Sequence, residues 1–355
     1  MSLQLLETAQ ERGAASAALA SLVYSSDTDT GLIRRRAGKG FYYTNGTGER
    51  IIAPEVLARI RELAIPPAWT DVWISPDPRG HLQATGRDDR GRKQYRYHPD
   101  WIEQRDQAKY ATLVSFGEAL PEIRQQVDKD LRKHGLTNVR VMASIVWLLD
   151  NALIRIGNAT YARDNKNYGL TTLRDRHVKV TGSKLRFAFR GKSGKEWKLE
   201  ISDRRIAKTV KGVQELPGQH LFQYLDEDAG RHAVTSQDVN RYIADVAGDE
   251  FSSKHFRTWG GTIAASQLLL ETALPSNQRE VAIALNRVID QVAGRLGNTR
   301  AVCRKCYVHP ELVTAWNDGR LSREFHAIGQ RAKPINGLVQ EETILLHWLR
   351  RLNRS

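Results

Sequence analysis

The segment GNTRAVCRKCYVHP, residues 297–310, contains the side chains best suited to chemistry. Its tyrosine, Tyr307, follows two cysteines and several cations. A phenol has an ordinary pKa of about 10, and it becomes an effective nucleophile toward phosphorus when cations stabilise the phenolate and the charge that develops on a phosphate. Arginine suits this task because its planar guanidinium stays charged and can bind two nonbridging oxygens. Tyr307 is therefore a candidate nucleophile, although a lone tyrosine is ordinarily a core or surface aromatic.

Cys303 and Cys306 are the only cysteines in the chain. Two thiolates would fill half of a tetrahedral zinc site, and the sequence has no second pair. A redox pair would need a thioredoxin-like βαβ context, which the surrounding sequence lacks. We interpret both cysteines as incidental. With no disulfide framework, the expected setting is a reducing, intracellular one.

Several common catalytic motifs are missing. The sequence has no GxxxxGK[ST] loop, no HExxH and no acidic run with the spacing of metal ligands. We therefore expect no ATP site, no catalytic metal and no cofactor.

Two segments could bring arginines toward Tyr307. In WLLDNALIRIGNATYARDN, apolar residues at helical spacing predict a rigid helix from which Arg155 projects toward a cleft. In SSKHFRTWGGT, a serine-rich start predicts a helix that carries Lys254 and Arg257 on one face. Each arginine alone is more often an ordinary surface residue.

A lysine lies in a predicted hairpin turn. Between residues 175 and 201, the runs HVKV, KLRFAFR and EWKLEIS alternate in side-chain character and are separated by TGS and GKSGK. This pattern predicts a small three-stranded sheet. Lys192 lies in the turn GKSG, where a flexible ammonium could reach a phosphate, although most hairpin lysines have no such role.

The chain of 355 residues is long enough for two domains. From residues 31 to 99, short apolar runs alternate with turns and indicate strands, with one helix over 53–64. Helices then dominate, and one of them is predicted over 121–135, with a proline at its start and a glycine after its end. We predict an α+β fold: a β-rich amino-terminal domain, 1–103, and a mainly α-helical catalytic domain, 104–355, that contains the small three-stranded sheet.

The charge of the chain suggests a polyanionic partner. Lys and Arg number 54 against 40 Asp and Glu, for a formal net charge of +14. Cations cluster in GRDDRGRKQYRYH, where tyrosines lie among them. A second cluster lies between residues 174 and 208, which contain twelve Lys or Arg and only four Asp or Glu. Two basic segments in two domains suggest a clamp around nucleic acid. The alternative is a basic protein whose charges only keep it soluble.

No uncharged apolar stretch reaches the roughly 18 residues that span a bilayer, and the amino terminus has no basic flank before its apolar residues. We expect neither export nor membrane insertion. The expected location is the cytoplasm, in association with the nucleoid.

Five segments, taken in order, resemble DNA topoisomerase IB of the short poxvirus-type and bacterial branch. They are GRKQYRYH, IRIGNATYARDNKNYGLTTL, FRGKSGKEWK, SKHFRTWGGT and LGNTRAVCRKCYVHP. No single motif is decisive, but the ordered set covers most of the chain. The resemblance implies a tyrosine recombinase-like catalytic fold and a monomer that clamps double-stranded DNA. It also implies relaxation of supercoils by transient cleavage of one strand, swivelling and religation, without ATP or a required metal.

The resemblance also implies roles for five residues. Tyr307 would attack the backbone phosphate and form a 3′-phosphotyrosyl bond, and Arg155 and Arg257 would bind the phosphate oxygens. Lys192 would be the general acid that protonates the departing 5′ oxygen. Asn298 stands where poxvirus and nuclear enzymes have histidine, so an amide would donate to a nonbridging oxygen without carrying charge.

DNA-contacting positions carry over in the same way. The match assigns DNA contacts to Gln94, Tyr95 and Tyr97 and to Tyr161 farther along the chain. Arg92 and Lys93 precede these residues in the same basic segment, where cations would meet phosphates. Sequence preference does not carry over.

Two other functions fit parts of the pattern. A tyrosine site-specific recombinase or integrase uses similar arginines, a hairpin lysine and a late tyrosine. That class has histidine where Lys254 stands and a helical, rather than β-rich, amino-terminal DNA-binding domain. The second alternative is a noncatalytic DNA-binding protein.

Overall fold

A computed structural model of the chain describes residues 21–38 and 40–353, without the side chains of 105–109 and 161. The chain separates into two compact units, Met1–Lys109 and Tyr110–Ser355. Strands dominate the described part of the first and helices that of the second, so the predicted α+β class is confirmed. Residues 1–20, on which the expectation about export depends, lie outside the described residues. No helix in the described ranges is both long and apolar enough to cross a membrane.

The first unit contains a five-stranded antiparallel sheet in the order β2-β1-β3-β4-β5. The helix α1 has Pro54 at its first turn, as predicted, and buries Ile60 against Val72 and Ile74 of the sheet. The bounds are β1 Leu32–Ala37, β2 Gly40–Thr44, α1 Pro54–Glu62, β3 Thr70–Ile74, β4 Leu82–Arg87 and β5 Lys93–Tyr97.

Helices form most of the second unit and enclose one large hydrophobic core. They are α2 Pro99–Leu131, which begins before the division between the units, α3 Asn138–Ala152, α4 Ala159–Asn165, α5 Arg204–Gln214, α6 Ser236–Ala247, α7 Ser253–Glu271, α8 Gln278–Leu296, α9 Arg300–Cys306, α10 Pro310–Asn317, α11 Leu321–Gly329 and α12 Gln340–Leu352. Two small sheets accompany them: β6 Val178–Thr181, β7 Lys184–Arg190 and β8 Glu196–Ser202 form one, and β9 Gln223–Leu225 and β10 Arg231–Ala233 form the other.

The predicted three-stranded sheet is confirmed, in the order β6-β7-β8. Along β7, buried and exposed residues alternate without exception. Leu185 and Phe187 enter the core, whereas Lys184 and Arg186 face outward. The strand period of two therefore gives the sheet one apolar face and one basic face.

Two predicted helices have different bounds in the structure. The helix predicted over 121–135 begins much earlier, at Pro99, and Pro121 lies inside it. Pro121 packs against Gly337, where a Cβ would lie 2.9 Å from the proline Cβ. Local sequence preferences place a proline at the start of a helix. Here, packing against Gly337 accommodates the proline inside the helix.

The helix expected to carry Arg155 ends earlier, at Ala152. Leu153 adopts a left-handed conformation, with φ 53°, and terminates α3. Its side chain fills space that Gly260 leaves open, because a Cβ on Gly260 would lie 2.6 Å from Leu153 Cδ2. Arg155 therefore lies on an irregular segment, and the prediction that it projects from a helix is wrong.

A buried ionic network ties the last helix to the core. Arg124 donates to Asp150 at 2.8 Å and to Glu342 at 2.7 Å, and Trp259 Nε1 donates to Glu342 at 3.0 Å. Burial alone would lower the pKa of Arg124, but the two carboxylates raise it well above its ordinary value. The network joins α2, α3, α7 and α12.

We predict that Glu342→Gln lowers the free energy of unfolding by about 3 kcal/mol, because it removes one carboxylate from a buried guanidinium. The adjacent Glu341 is exposed, so Glu341→Gln is the matched control and should shift stability by less than about 0.5 kcal/mol. Urea unfolding followed by tryptophan fluorescence measures both. Equal effects of the two changes would contradict this account of the network.

Candidate active site

Tyr307 lies immediately after α9, as its C-terminal capping residue. The amide of Tyr307 donates to Cys303 O at 2.9 Å, and at the other end of the helix Thr299 Oγ1 accepts from the Val302 amide. The main-chain oxygen of Tyr307 accepts a hydrogen bond from Thr262 Oγ1 of α7 at 3.3 Å. The side chain is half-buried.

Arg257 is brought to Tyr307 by α7, which begins after Ser252 as predicted. Its side chain is 3% exposed. It donates to Leu153 O and, at 2.8 Å, to Leu296 O. The guanidinium carbon lies 5.0 Å from the centroid of the Tyr307 ring.

Arg155 reaches the same place from the irregular segment after α3. Main-chain hydrogen bonds from Leu170 to Arg155 and from Thr171 to Ile156, at 2.9 and 2.7 Å, hold this segment. The guanidinium donates to Gly297 O at 3.2 Å and to Asn298 Oδ1. Arg155 therefore points inward although the predicted helix is absent.

Asn298 completes the group. It follows Gly297, whose φ of 57° ends α8, and its amide donates to Ala293 O at 2.9 Å. Its side chain is 4% exposed, and Oδ1 accepts from Arg155. Asn298 Nδ2 and Arg257 Nε are buried donors without a hydrogen-bond partner among the described residues. Buried donors normally have partners, so these two atoms indicate where a ligand oxygen would bind.

Lys192 does not join this group. It begins a 3-10 turn, Lys192–Gly194, between β7 and β8, so its predicted position in a hairpin turn is confirmed. Its side chain is exposed, and within the described part of the chain its ammonium has no hydrogen bond or ion pair. The hairpin lysine that contacts the group is Lys195, which donates to Asn298 O. Lys195 was not predicted as a site residue, although GKSGK contains both lysines.

The electrostatics favour an anion at this site. Burial would raise the pKa of Tyr307, but the charge of Arg257, a hydrogen bond from it and the charge of Arg155 together lower that pKa below its ordinary value. Burial and repulsion from Arg155 lower the pKa of Arg257 to about 10, so it stays protonated at neutral pH. Within the described ranges, neither arginine forms an ion pair with a carboxylate. Two confined cations without a carboxylate form a binding site for a phosphate-like anion.

Cys303, four residues before Tyr307, offers no ready chemistry. Cys303 is fully buried, and burial raises its pKa to about 11. A protonated, inaccessible thiol is a poor nucleophile and a poor metal ligand. Across the described residues, no group of three or more His, Cys, Asp or Glu side chains could hold a metal ion.

The predicted DNA-binding residues of the first unit lie on β5 and in the turn before it. Asp88 organises this turn: its Oδ1 accepts from the amides of Arg90 and Arg92 at 3.0 and 2.9 Å. Its Oδ2 accepts from Arg92 Nη2 at 2.6 Å and from Gln94 Nε2 at 2.9 Å. These contacts, with Arg92 the chief cause, lower the pKa of Asp88 to about 2.

The other residues of this strand are also ordered. Lys93 Nζ pairs with Asp27 at 2.5 Å. The Tyr95 and Tyr97 rings stack at 5.9 Å between centroids, and Lys93 lies 5.6 Å from the Tyr95 ring centroid. The remaining predicted residue, Tyr161, belongs to α4, but its side chain lies outside the described residues.

Known proteins match this chain in both units. The family model of the eukaryotic DNA topoisomerase I catalytic core matches residues 98–324, and that of the bacterial DNA topoisomerase IB N-terminal domain matches residues 40–88. DNA topoisomerase 1B of Acanthamoeba polyphaga mimivirus is 33% identical over 285 residues, which cover 78% of this chain and 85% of the relative. DNA topoisomerase 1B of vaccinia virus, strain Copenhagen, is 22% identical over 75% of this chain and 82% of that relative. A family model that matches more than half of the chain, and a relative aligned over most of its length, establish that the chain belongs to the type IB DNA topoisomerases.

Proposed function

We propose that this protein relaxes supercoiled double-stranded DNA by cutting and resealing one strand through Tyr307. The proposal depends on one observation: the buried Arg257 and the half-buried Arg155 lie beside a phenol whose pKa they lower. The unpaired Asn298 Nδ2 adds a third donor to this cluster. A DNA phosphodiester supplies the anion that these groups lack and the phosphorus that a phenolate attacks.

The reaction exchanges one phosphoester for another. Tyr307 loses its phenolic proton to solvent, its oxygen bonds to phosphorus, the bond from phosphorus to the 5′ oxygen breaks, and a 3′-phosphotyrosyl intermediate forms. Arg155, Arg257 and Asn298 bind the nonbridging oxygens, where negative charge increases in the transition state. One preorganised donor of this kind is typically worth about 3 kcal/mol.

The departing 5′ oxygen needs a proton, which we assign to the ammonium of Lys192. Its exposed position on a short turn leaves it accessible to a bound duplex. In the reverse reaction the 5′ hydroxyl returns the proton to Lys192, attacks phosphorus and releases Tyr307. No phosphoester energy is lost, so religation requires no ATP. Supercoil strain drives rotation of the free 5′ end between the two steps.

The rest of the chain supports the DNA as a clamp. We propose that the amino-terminal domain, 1–103, binds the duplex through β5, with Arg92, Lys93, Gln94, Tyr95 and Tyr97, and that the catalytic domain, 104–355, contributes Tyr161 and the basic face of β6–β8. The catalytic domain would have the tyrosine recombinase-like fold. One monomer would suffice, and its expected location is the cytoplasm, on the nucleoid.

Attack by Tyr307 requires a fixed main chain, which α7 supplies. A Cβ on Gly261 would lie 2.6 Å from Tyr307 O and 3.1 Å from Tyr307 Cβ. The helix and the nucleophile therefore touch main chain to main chain. This approach, with the Thr262 hydrogen bond, holds Tyr307 at a fixed distance from Arg257.

We predict that the purified protein relaxes both positively and negatively supercoiled plasmid in EDTA and without ATP, because none of the proposed steps uses a metal or a nucleotide. Agarose gels with and without an intercalator measure the topoisomers. Plasmid that stays supercoiled would contradict the proposal and would favour the alternative of a noncatalytic DNA-binding protein. Gel filtration with DNA tests the recombinase alternative, which requires tetramers on paired sites.

We predict that Tyr307→Phe abolishes covalent capture of DNA and keeps DNA affinity within about twofold, because the arginines that bind the phosphate remain. Denaturing gels of a labelled duplex measure the adduct, and filter binding measures affinity. Peptide mapping of the wild-type adduct should find the nucleotide on Tyr307. A nucleotide on any other residue would contradict the assignment.

We predict that Gly261→Ala slows single-turnover cleavage on the order of 10²-fold, the cost of misplacing a reacting group by about 1 Å. Gly294→Ala is the matched control, because Gly294 is also a helical glycine and a Cβ there meets nothing within 4 Å. It should cleave at the wild-type rate. A Gly261→Ala enzyme as fast as this control would show that the contact does not position Tyr307.

A further inference from the structure

The hairpin that carries Lys192 is attached to the Asn298 segment through a tryptophan. A Cβ on Gly297 would lie 2.6 Å from the Trp197 ring, and a Cβ on Gly191 would lie 2.7 Å from Trp197 Nε1. The ring therefore lies flat against the main chain of both segments. It also stacks on Phe189, with centroids 5.8 Å apart and planes 7° apart. This packing fixes the base of the hairpin.

Lys195 makes the contact nearest the tip. Its main-chain oxygen accepts from the Gly191 amide at 2.7 Å and closes the turn. Its half-buried side chain crosses to the other segment, where Nζ donates to Asn298 O. The turn is thereby tied to the residue whose side chain binds Arg155.

The two lysines of the turn have different environments. Lys192 is exposed, and Lys195 is half-buried against the group around Tyr307. Between them, Ser193 has a φ of 62° and Gly194 a φ of 74°, so the chain bends back within two residues. With one end held by the Lys195 ammonium, the bend sets the direction in which Lys192 extends.

We propose that Lys195 is a positioning residue that holds the Lys192 turn on the Asn298 main chain, so that the Lys192 ammonium meets the departing 5′ oxygen. The inference rests on the proposed function. Lys195 acts through Lys192 and transfers no proton itself. Removing its ammonium should therefore impair protonation of the leaving group and spare the attack by Tyr307.

The test compares two duplex substrates, one ordinary and one with sulfur in place of the 5′ bridging oxygen at the cleavage site. A thiolate leaves with little need for a proton. The sulfur substrate therefore restores the cleavage rate only of a variant whose defect is in general-acid catalysis. We expect Lys195→Met, which keeps the aliphatic stem, to slow single-turnover cleavage of ordinary DNA by about tenfold or more, which is part of the roughly 10²–10⁴-fold that general-acid catalysis contributes. Cleavage of the sulfur substrate should stay within about threefold of wild type, by the same reasoning.

Lys211→Met is the matched control. Lys211 is an exposed lysine of α5, outside the hairpin and outside the basic face that we propose to bind DNA. It should leave both rates unchanged. Lys195→Arg keeps a donor and should recover part of the ordinary rate. The double variant Lys192→Ala/Lys195→Met should be no slower than Lys192→Ala alone, because both changes remove the same proton transfer.

Several results would overturn the inference. If Lys195→Met slowed cleavage of both substrates equally, the defect would be in the attack by Tyr307 or in folding. If it slowed neither, the contact between Lys195 and Asn298 would have no role in cleavage. If the rate loss of the double variant equalled the product of the two single losses, the two lysines would act independently. Sulfur relief for Lys195→Met but not for Lys192→Ala would make Lys195 the acid. Failure of the proposed function is distinct, because the wild type would then form no adduct with either substrate.

Discussion

Confinement of two positive charges beside one phenol is the constraint on which the rest of the structure depends. Arg257 is almost fully buried, and Arg155 approaches it closely enough to lower its pKa. Besides Tyr307 itself, they donate to carbonyl and amide oxygens supplied by the ends of α3 and α8 and by Asn298. Such oxygens orient a guanidinium without neutralising it. The free protein thus holds two positive charges close together, and a phosphate bound there, as we propose, would relieve their repulsion. The proposed substrate binding and the lowering of the Tyr307 pKa would then have the same origin.

Short-range sequence patterns predicted the elements that carry much of this site. The serine-rich start of α7 predicted the helix that carries Arg257, and the alternation in β7 predicted the sheet and the Lys192 turn. Both patterns depend on residues a few positions apart, which is the range over which propensity and periodicity act. The ordered motifs then indicated the family, which the comparisons confirm. The roles of the individual site residues remain predictions that follow from that resemblance.

What could not be predicted depends on contacts distant in sequence. The apolar spacing around Arg155 is helical, yet Leu153 ends the helix because Gly260, more than a hundred residues later, leaves room for its side chain. Pro121 stays inside α2 for a similar reason. The β9–β10 hairpin was missed because its strands have only three residues each. The Lys195 contact links a hairpin to a loop about a hundred residues away, and a lysine in a turn carries no signal for such a partner.

Asn298 shows why an amide suits this position. Its Oδ1 accepts from Arg155, and its buried Nδ2 has no partner among the described residues, so Nδ2 is free to donate to the phosphate in the proposed function. An amide can accept and donate at once, at any pH. A neutral imidazole can do both in only one tautomer, and an imidazolium cannot accept from Arg155 at all. Three cations, Arg155, Arg257 and Lys195, already contact this site, and the amide would supply a donor for the proposed phosphate without adding a fourth positive charge. The arrangement of donors therefore stays the same through the neutral pH range in which an imidazole would titrate.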